Sequence, residues 1–312
     1  MLNLSGIQVA VLGGDDRELV LVPELVKMGA KIVVTGFPER PELAGARLVE
    51  SVEEALFGAQ AIIMPMPGTD ESGNIRAVYS PNKLELTEKM VRSIPPGTPV
   101  IIGVARTFLK EWAVKYQLDL IEIADMDDVA ILNSIPSAEG AIQIAMQSLP
   151  ITIHGSQSWV LGFGRVGKTL ARMLQGLGAV TTVCARKPAD LARISEMGFQ
   201  GLTFAQMEQS IGKAELIFNT VPAMILDQGL LKHCNQEALI VDLASAPGGT
   251  DFRAAEQLGI RAILAPGLPG KVAPRTAGKI LVQVIPRLIL DSISRNLAKD
   301  QEEDLSGKQI IV

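Results

Sequence analysis

Short runs of apolar residues alternate along this chain with polar stretches whose apolar positions recur at helical spacing. In the first half the apolar runs predict five buried strands, at Ile7–Leu12, Lys31–Thr35, Ala61–Met64, Val100–Val104 and Leu118–Ile123. Helical spacing predicts helices between them, around Leu19–Val26 and at Ser51–Leu56 and Leu84–Arg92. Strands that alternate with helices form parallel, doubly wound sheets, so the first half is predicted to be an α/β domain.

The second half repeats this alternation. Its apolar runs predict strands at Ser158–Leu161, at Val180–Cys184, around Leu202, and at Leu216–Thr220, Leu239–Leu243 and Ala262–Leu264. The predicted fold class is therefore α/β, with two Rossmann-like doubly wound parallel-sheet domains and a cleft between them. We expect a substrate domain at residues 1–132 and a dinucleotide-binding domain at residues 151–274.

Two helices are expected to connect the domains. The first is predicted over 133–150, with Ser134 or Ser137 as its cap, because a serine hydroxyl can accept a hydrogen bond from the free amides of a helix start. The second is an amphipathic helix over 275–298, which is expected to return to the first domain. Proline lacks an amide proton, so Pro286 is predicted to interrupt this helix.

A glycine pattern marks the first strand and helix of the second domain. Val160–Gly167 reads Val-Leu-Gly-Phe-Gly-Arg-Val-Gly, a GxGxxG fingerprint. Gly162 permits a tight turn, and Gly164 lets the backbone approach a pyrophosphate. Gly167 allows the helix to pack closely on the strand. The helix start adds free amides and a positive dipole end. The predicted cofactor-binding residues are Gly162, Phe163, Gly164, Arg165, Val166 and Gly167, with Thr220, Val221, Pro222 and Ser245 from later strand ends.

The end of the second strand of this domain indicates which pyridine nucleotide is bound. NAD-binding domains usually carry Asp or Glu there, to hold the ribose 2′-hydroxyl. In this chain Arg186 and Lys187 follow the strand instead. A guanidinium forms charge-assisted, bidentate hydrogen bonds with a phosphate, so we predict NADP as the cofactor. The alternative interpretation is a solvated loop that happens to carry two cations.

Ligands of open α/β sheets bind beyond the carboxyl ends of the strands. Six loops rich in proline and glycine occupy those positions, at 13–17, 65–70, 104–107, 219–222, 243–249 and 265–271. Each loop taken singly is also compatible with ordinary turn chemistry. The first carries Asp15 and Asp16, which would repel a pyrophosphate, so no cofactor is expected there.

Some of these loops carry groups suited to an anionic substrate. Arg17, Arg106 and Lys271 are candidate cations, although each is equally compatible with a surface charge. The predicted substrate-binding residues are Arg17, Thr69, Arg106, Ser134, Ser137 and Lys271. Glu139, one turn into the connecting helix, is either a general base or a favourable charge near the positive end of the helix dipole, and we favour the dipole. The pattern assigns no catalytic residue.

Composition excludes several classes of protein. A net charge of −5 without a basic block argues against a nucleic-acid partner. No apolar run is long enough for a membrane span. Two cysteines cannot build a disulfide framework or a cysteine-rich zinc site, and no metal is expected. The N-terminus lacks the basic segment of a signal peptide, so we expect a cytoplasmic protein. Separately, we expect the protein to be a homo-oligomer.

Five segments together resemble the family of dipicolinate synthase A subunits from spore-forming bacteria. They are Gly-Gly-Asp-Asp-Arg at 13–17, Met-Pro-Gly-Thr-Asp at 66–70, Asn-Ser-Ile-Pro-Ser-Ala-Glu-Gly-Ala-Ile-Gln at 133–143, Asp-Leu-Ala-Ser-Ala-Pro-Gly-Gly at 242–249 and Gly-Leu-Pro-Gly-Lys-Val-Ala-Pro at 267–274. The segments 133–143 and 267–274 are the ones specific to this family. The glycine fingerprint also agrees with the family, but it alone would match many dehydrogenases.

The resemblance implies a dehydrogenase that oxidises dihydrodipicolinate to dipicolinate with NADP⁺ in the mother cell of a sporulating bacterium, at a branch of the lysine/diaminopimelate pathway. It also implies a partner, a flavoprotein-like B subunit. The substrate would be a flat dicarboxylate, with Arg17 or Arg106 and the 134–137 helix start at one carboxylate and Lys271 near the other. No residue stands out as the base, which leaves water as a candidate proton acceptor.

Three alternatives compete with this function. A D-2-hydroxyacid dehydrogenase would need a histidine late in the nucleotide domain, and Gly267–Lys271 contains none. An adenosylhomocysteinase-like hydrolase would need one in the first domain, and residues 1–150 contain none. A non-catalytic NADP-sensing or scaffold protein stays open, because obvious acid/base residues are scarce.

Overall fold

The computed structural model describes the backbone of residues 2–308 and the side chains of residues 2–298. It divides into two compact units, one formed by the residues up to Val129 with those from Pro274 on, and the other by Ala130–Ala273. Each unit contains a parallel sheet of six strands. The predicted α/β class with two Rossmann-like doubly wound sheets is confirmed.

The strands follow the same plan in both units. In chain order they are β1 (Gln8–Leu12), β2 (Lys31–Thr35), β3 (Arg47–Val49), β4 (Ala61–Ile63), β5 (Asn74–Ile75), β6 (Leu84–Glu85), β7 (Pro99–Ile102), β8 (Asp119–Glu122), β9 (Gln157–Leu161), β10 (Val180–Cys184), β11 (Gln200–Leu202), β12 (Leu216–Asn219), β13 (Leu239–Asp242) and β14 (Arg261–Leu264). The sheets have the orders β3-β2-β1-β4-β7-β8 and β11-β10-β9-β12-β13-β14, and β5 pairs with β6 separately. Strand order therefore reverses beside β1 and beside β9, the positions where such sheets bind ligands.

Helices cover both faces of each sheet. They are α1 (Glu18–Lys27), α2 (Val52–Leu56), α3 (Glu88–Arg92), α4 (Thr107–Lys115), α5 (Asp127–Ser148), α6 (Arg165–Gly176), α7 (Pro188–Glu196), α8 (Gln228–Leu231), α9 (Phe252–Gln257), α10 (Leu268–Val272) and α11 (Pro274–Lys308). Successive residues of the central strands enter opposite core layers, with Val160 and Phe218 in one and Trp159, Leu161 and Ile217 in the other. Burial on both faces explains why the strands are continuous apolar runs.

The helix predicted at Leu84–Arg92 is wrong at its start. Leu84–Glu85 is a short strand paired with Asn74–Ile75, and the helix begins only after Thr87, whose hydroxyl accepts a hydrogen bond from the Met90 amide. A threonine hydroxyl satisfies a free amide at a helix start, so this residue fixes the boundary.

The predicted start of the connecting helix is also wrong. Helix α5 begins at Asp127, so Ser134 and Ser137 lie inside it and cap nothing. Their hydroxyls donate instead to the carbonyls of Ile131 at 2.6 Å and Asn133 at 2.8 Å. Acidic residues in the first turn suit the positive end of the helix dipole, and this signal marks the start better than the serines do.

The predicted interruption of the last helix at Pro286 is wrong as well. Helix α11 runs continuously from Pro274 to Lys308. The side chains of Val284, Ile285 and Ile289 are buried around the proline, and this packing holds the helix although one amide is missing. Further along the helix, the Asn296 side chain donates to the Gly97 carbonyl at 2.6 Å.

Candidate functional site

The glycine loop between β9 and α6 leaves no room for side chains at two positions. Gly162 has a φ of +99°, and a Cβ there would lie 2.6 Å from the Thr220 hydroxyl. A Cβ on Gly167 would lie only 2.2 Å from the Gly162 carbonyl oxygen. These two glycines let helix α6 start directly against the strand, as the fingerprint requires.

Gly164 differs from the other two glycines, because nothing lies within 4 Å of the position that its Cβ would take. It is the residue before helix α6 and, as a glycine, has no side chain with which to cap that helix. Open space beside uncapped helix amides is the arrangement that binds phosphate groups. Phe163, within the loop, is buried, and the Lys168 ammonium lies 5.1 Å from the centre of its ring.

Arg186 and Lys187 lie exposed between strand β10 and helix α7, which begins at Pro188. Within residues 2–298, no carboxylate is paired with either cation. Each is therefore free to meet an anion from solvent. The carboxyl end of β10 is also where Rossmann domains contact the ribose of the nucleotide.

The loop after β12 is tied to the glycine loop. The hydroxyl and amide of Thr220 both donate to the Leu161 carbonyl, at 2.8 Å and 3.0 Å. The next residue, Val221, is held by Asn219, whose side chain bonds both its amide and its carbonyl at 3.1 Å. Predicted cofactor residues on two strands thus form one connected edge, and Pro222 continues it in an exposed position.

The loop after β13 is organised by Asp242, a residue that the sequence did not single out for a site role. Its side chain is fully buried and accepts four hydrogen bonds, from the amides of Ala244 and Gly249, the Asn219 side chain and the Thr250 hydroxyl. This carboxylate fixes the loop that presents Ser245, which is exposed. The available sequence signal was an acid directly after the apolar run Leu239–Val241, because a carboxylate at the end of a buried strand requires several hydrogen-bond partners.

In the first unit, the loops after β1, β4 and β7 form a continuous edge. The Gly14 amide donates to the Arg76 carbonyl at 2.8 Å, and the Arg76 amide donates to the Gly68 carbonyl at 3.2 Å, so Arg76 connects the first loop to the second. The Arg106 Nε donates to the Thr69 carbonyl at 3.1 Å, which connects the second to the third. The structure therefore brings two predicted substrate residues, Thr69 and Arg106, into contact.

The two arginines of this edge are engaged differently. Arg17 is buried and binds Asp15 through two side-chain hydrogen bonds of 2.8 Å and 2.7 Å. Burial alone would raise the pKa of Asp15, but Arg17 outweighs this effect and holds that pKa below its ordinary value. Arg106 pairs at 3.1 Å with Glu71, whose side chain is largely exposed. Exposed pairs are weak, so Arg106 can exchange Glu71 for another carboxylate more easily than Arg17 can exchange Asp15.

Glu18 lies beside this loop and did not stand out in the sequence, where its position belongs to an ordinary amphipathic helix. It is 1% exposed, and its Oε2 accepts the Asp15 amide at 2.6 Å. Burial raises the pKa of Glu18 to about 7, against the lowering effects of the Asp15 amide and the Arg17 charge. Within the described part of the chain its Oε1 has no hydrogen-bond partner.

The remaining candidates belong to the second unit. Ser134 is buried, with its hydroxyl 2.6 Å from that of Thr169 on α6, so it braces the glycine-loop helix. Lys271 is exposed on α10, which packs against Gly140 of α5. Glu139 is exposed more than three turns from the start of α5, so its interpretation as a charge near the helix dipole is wrong.

The described residues provide neither a metal-binding cluster nor a helix that could span a membrane. These residues contain no group of three or more His, Cys, Asp or Glu side chains placed to hold a metal ion. Across the same part of the chain, no helix is both long and apolar enough to cross a bilayer.

Both units match families of known proteins. Residues 8–124 match the N-terminal domain of the dipicolinate synthase A subunit, and residues 137–247 match the NAD-binding domain of D-isomer-specific 2-hydroxyacid dehydrogenases. The second match supports an oxidoreductase that uses a pyridine nucleotide. It does not distinguish NAD from NADP.

Similar proteins cover nearly the whole chain. The dipicolinate synthase A subunit of Bacillus subtilis is 39% identical over 289 residues, which are 92% of this chain and 97% of that protein. The crystal structure of the dipicolinate synthase A subunit from Bacillus halodurans superposes with a TM-score of 0.89 at 39% identity, over 92% of this chain and 99% of that one. An L-alanine dehydrogenase, at 16% identity and a TM-score of 0.65 over 96% of this chain and 93% of its own, shares the fold alone.

Proposed function

Since the chain belongs to the family of dipicolinate synthase A subunits, we propose that it oxidises dihydrodipicolinate to dipicolinate with NADP⁺. The observation that carries the proposal is the second unit's open glycine loop, which has two unpaired cations at the adjacent strand end. We further propose that the reaction serves sporulation in the mother cell and that a flavoprotein-like B subunit works together with this chain.

The residues of the second unit fit a dinucleotide. The space beside Gly164 and the uncapped start of α6 suit the pyrophosphate, with Phe163, Arg165 and Val166 completing the loop. Thr220 to Pro222 and Ser245 line the neighbouring strand ends. The chemistry that bound NADP⁺ supplies is acceptance of a hydride from a ring carbon of the substrate.

The edge of the first unit suits a flat dicarboxylate. The Arg106 guanidinium, held by the Thr69 carbonyl, can take one carboxylate in place of exposed Glu71. Arg17 contributes mainly to the shape and charge of the loop, because Asp15 already engages it. Lys271, which is exposed on the second unit, stays a predicted substrate residue.

The oxidation is balanced by loss of one hydride and one proton from adjacent ring positions, and the product ring becomes aromatic. No histidine lies in residues 1–150, so the proton has no imidazole acceptor in the first unit's N-terminal part. Ser134 and Ser137 donate to backbone carbonyls of their own helix, and their proposed role moves from substrate binding to support of α5. We propose that water takes the proton.

Spectroscopy of the purified chain tests the reaction. With the cyclised dihydrodipicolinate precursor and NADP⁺, we expect pyridine absorbance and NADPH to grow together in equal amounts. The same assay is repeated with the B subunit present. Cofactor binding without turnover in both assays would contradict the proposal and favour a sensing or scaffold protein.

Arg186 is expected to select the cofactor. Changing Arg186 to Ala should weaken NADP⁺ binding by about 10- to 100-fold, because a charge-assisted contact to the 2′-phosphate is lost. Binding of NAD⁺ should change by less than about twofold, since it lacks this phosphate. The matched control is Arg193→Ala, which removes another exposed arginine of the same region that is paired with Glu196. Equal or tighter binding of NADH than NADPH by the unchanged protein would contradict the assignment.

A further inference from the structure

Three buried side-chain oxygens without a hydrogen-bond partner occur among the described residues, and all three lie at the carboxyl edge of the first sheet. They are Glu18 Oε1, Thr35 Oγ1 and Thr69 Oγ1. Thr35 ends β2, Glu18 follows β1, and Thr69 follows β4, which are three neighbouring strands. Buried polar groups are otherwise almost always paired, so this edge is prepared for a polar ligand or ordered water.

Glu18 is the ionisable member of this set. Its Oε2 is fixed by the Asp15 amide at 2.6 Å, and it lies so close under Gly14 that a Cβ on that glycine would be 2.3 Å from the same oxygen. The side chain therefore holds the Gly13–Arg17 loop in place through one oxygen. Its other oxygen remains unpartnered within the described residues.

The charges around Glu18 are unfavourable to a negative ligand. The Gly13–Glu18 segment carries three carboxyl groups and one guanidinium, and that guanidinium is already bound by Asp15. Asp15 and Arg17 act on Glu18 directly, and Arg76, from the segment joined to Gly14, acts on Asp15. Helix α11 also packs here, but it presents Gly278 to the Arg17 carbonyl. An ionised Glu18 would thus be a buried charge that the Asp15 amide and the engaged Arg17 offset only in part, beside an incoming anion.

We infer that Glu18 is a positioning residue that carries a proton while an anionic ligand occupies this edge, the ligand being a dicarboxylate if the function proposed above is correct. The protonated carboxyl keeps Oε2 on the Asp15 amide and removes the negative charge under the loop. It also provides an O–H on the unpartnered side, where a ligand carboxylate or a water could accept it. The pKa of Glu18, about 7, allows this protonation near neutral pH.

Protonation of Glu18 makes both the stability of the fold and its affinity for an anion depend on pH. The pKa of Glu18 is raised in the folded protein from its ordinary value of 4.5 to about 7. The folded chain therefore holds the proton more tightly than the unfolded chain does. The contribution of this proton to stability is complete below pH 4.5 and is lost as the pH rises to about 7. Affinity for an anion that needs the proton falls above about pH 7.

The test compares the full-length protein with its Glu18→Gln variant, whose amide is neutral at every pH and can still accept the Asp15 hydrogen bond. Dipicolinate affinity is measured by calorimetry from pH 5.5 to 8.5. We expect the affinity of the unchanged protein to fall above about pH 7, by at most tenfold per pH unit, and that of Glu18→Gln to stay level. Glu24→Gln, on a partly exposed residue of the same helix, should follow the unchanged protein.

A second measurement separates this inference from the proposed function. Without ligand, the stability of Glu18→Gln relative to the unchanged protein should grow between pH 4.5 and about 7 and then level off. A flat difference would overturn the inference, whatever binds. Dipicolinate binding with the same pH slope in both proteins would overturn it while leaving the function intact. No dipicolinate binding by the unchanged protein at any pH would overturn both.

Discussion

Replacing Gly167 by alanine is expected to weaken pyridine nucleotide binding by at least about 100-fold, or about 2.7 kcal/mol. The new Cβ would lie 2.2 Å from the carbonyl oxygen and 2.9 Å from the carbonyl carbon of Gly162. Because both atoms belong to the backbone, helix α6 must move away from strand β9. This movement displaces the amides that face the pyrophosphate, and overpacking should also lower the free energy of unfolding by about 1–3 kcal/mol. Titration of the cofactor and chemical denaturation measure the two effects.

Two other glycines of the same region serve as controls. Gly164→Ala should leave the free energy of unfolding within about 0.5 kcal/mol, since no protein atom lies within 4 Å of its Cβ position. It should nevertheless weaken cofactor binding, because the pyrophosphate would occupy that space. Gly176→Ala, at the far end of α6 and also without neighbours, should bind normally. Normal binding by Gly164→Ala would show that the phosphates do not approach this loop.

Replacing Asp242 by alanine is expected to lower the free energy of unfolding by about 3–5 kcal/mol, because several buried donors lose their acceptor together. The carboxylate accepts four hydrogen bonds of 2.7–3.0 Å, and all of these donors lie in or beside the loops after β12 and β13. Asp242→Asn keeps one acceptor oxygen but turns an NH₂ group towards two donors, so it should cost about half as much. Denaturant unfolding followed by circular dichroism measures both.

Asp251→Ala provides the comparison for an ordinary acidic residue nearby. Asp251 caps helix α9 with a single hydrogen bond to the Ala254 amide at 2.9 Å. Loss of such a cap costs about 1 kcal/mol. An equal cost for Asp242→Ala would mean that the loops after β12 and β13 rearrange to satisfy their own donors, which would contradict the role assigned to this carboxylate.

The family resemblance predicted from five short segments is confirmed by the relatives. The sequence argues against the alternatives based on histidine chemistry, since neither residues 1–150 nor Gly267–Lys271 contain a histidine. The choice of NADP, the substrate and the role of a B subunit stay predictions. The cleft expected between the two domains also stays a prediction.

Single residues explain why some predictions of the site needed correction. Serine at a helix start and serine inside a helix look alike in a sequence, because both donate or accept through the same hydroxyl. Ser134 and Ser137 proved to be internal, since the first acid at the true start of α5, Asp127, lies well before both. Arg17 was predicted to be a free cation, but in the structure its side chain pairs with that of Asp15, a near neighbour in the chain.

The sequence by itself determined five of the six strands of the first sheet, all six strands of the second, and the glycine loop; it missed Arg47–Val49. These features depend on local periodicity and on backbone conformations that few residues other than glycine adopt. Both can be recognised from a short stretch of neighbouring residues. Only the tertiary structure decided which polar groups are buried and what they meet. Glu18 and Asp242 are both acids near strand ends, yet one has an unpartnered oxygen and a pKa of about 7 while the other accepts four hydrogen bonds. Their difference arises from the depth of burial and from the number of donors that the folded loops bring to each carboxyl group, because burial and partners set the energy of a charge.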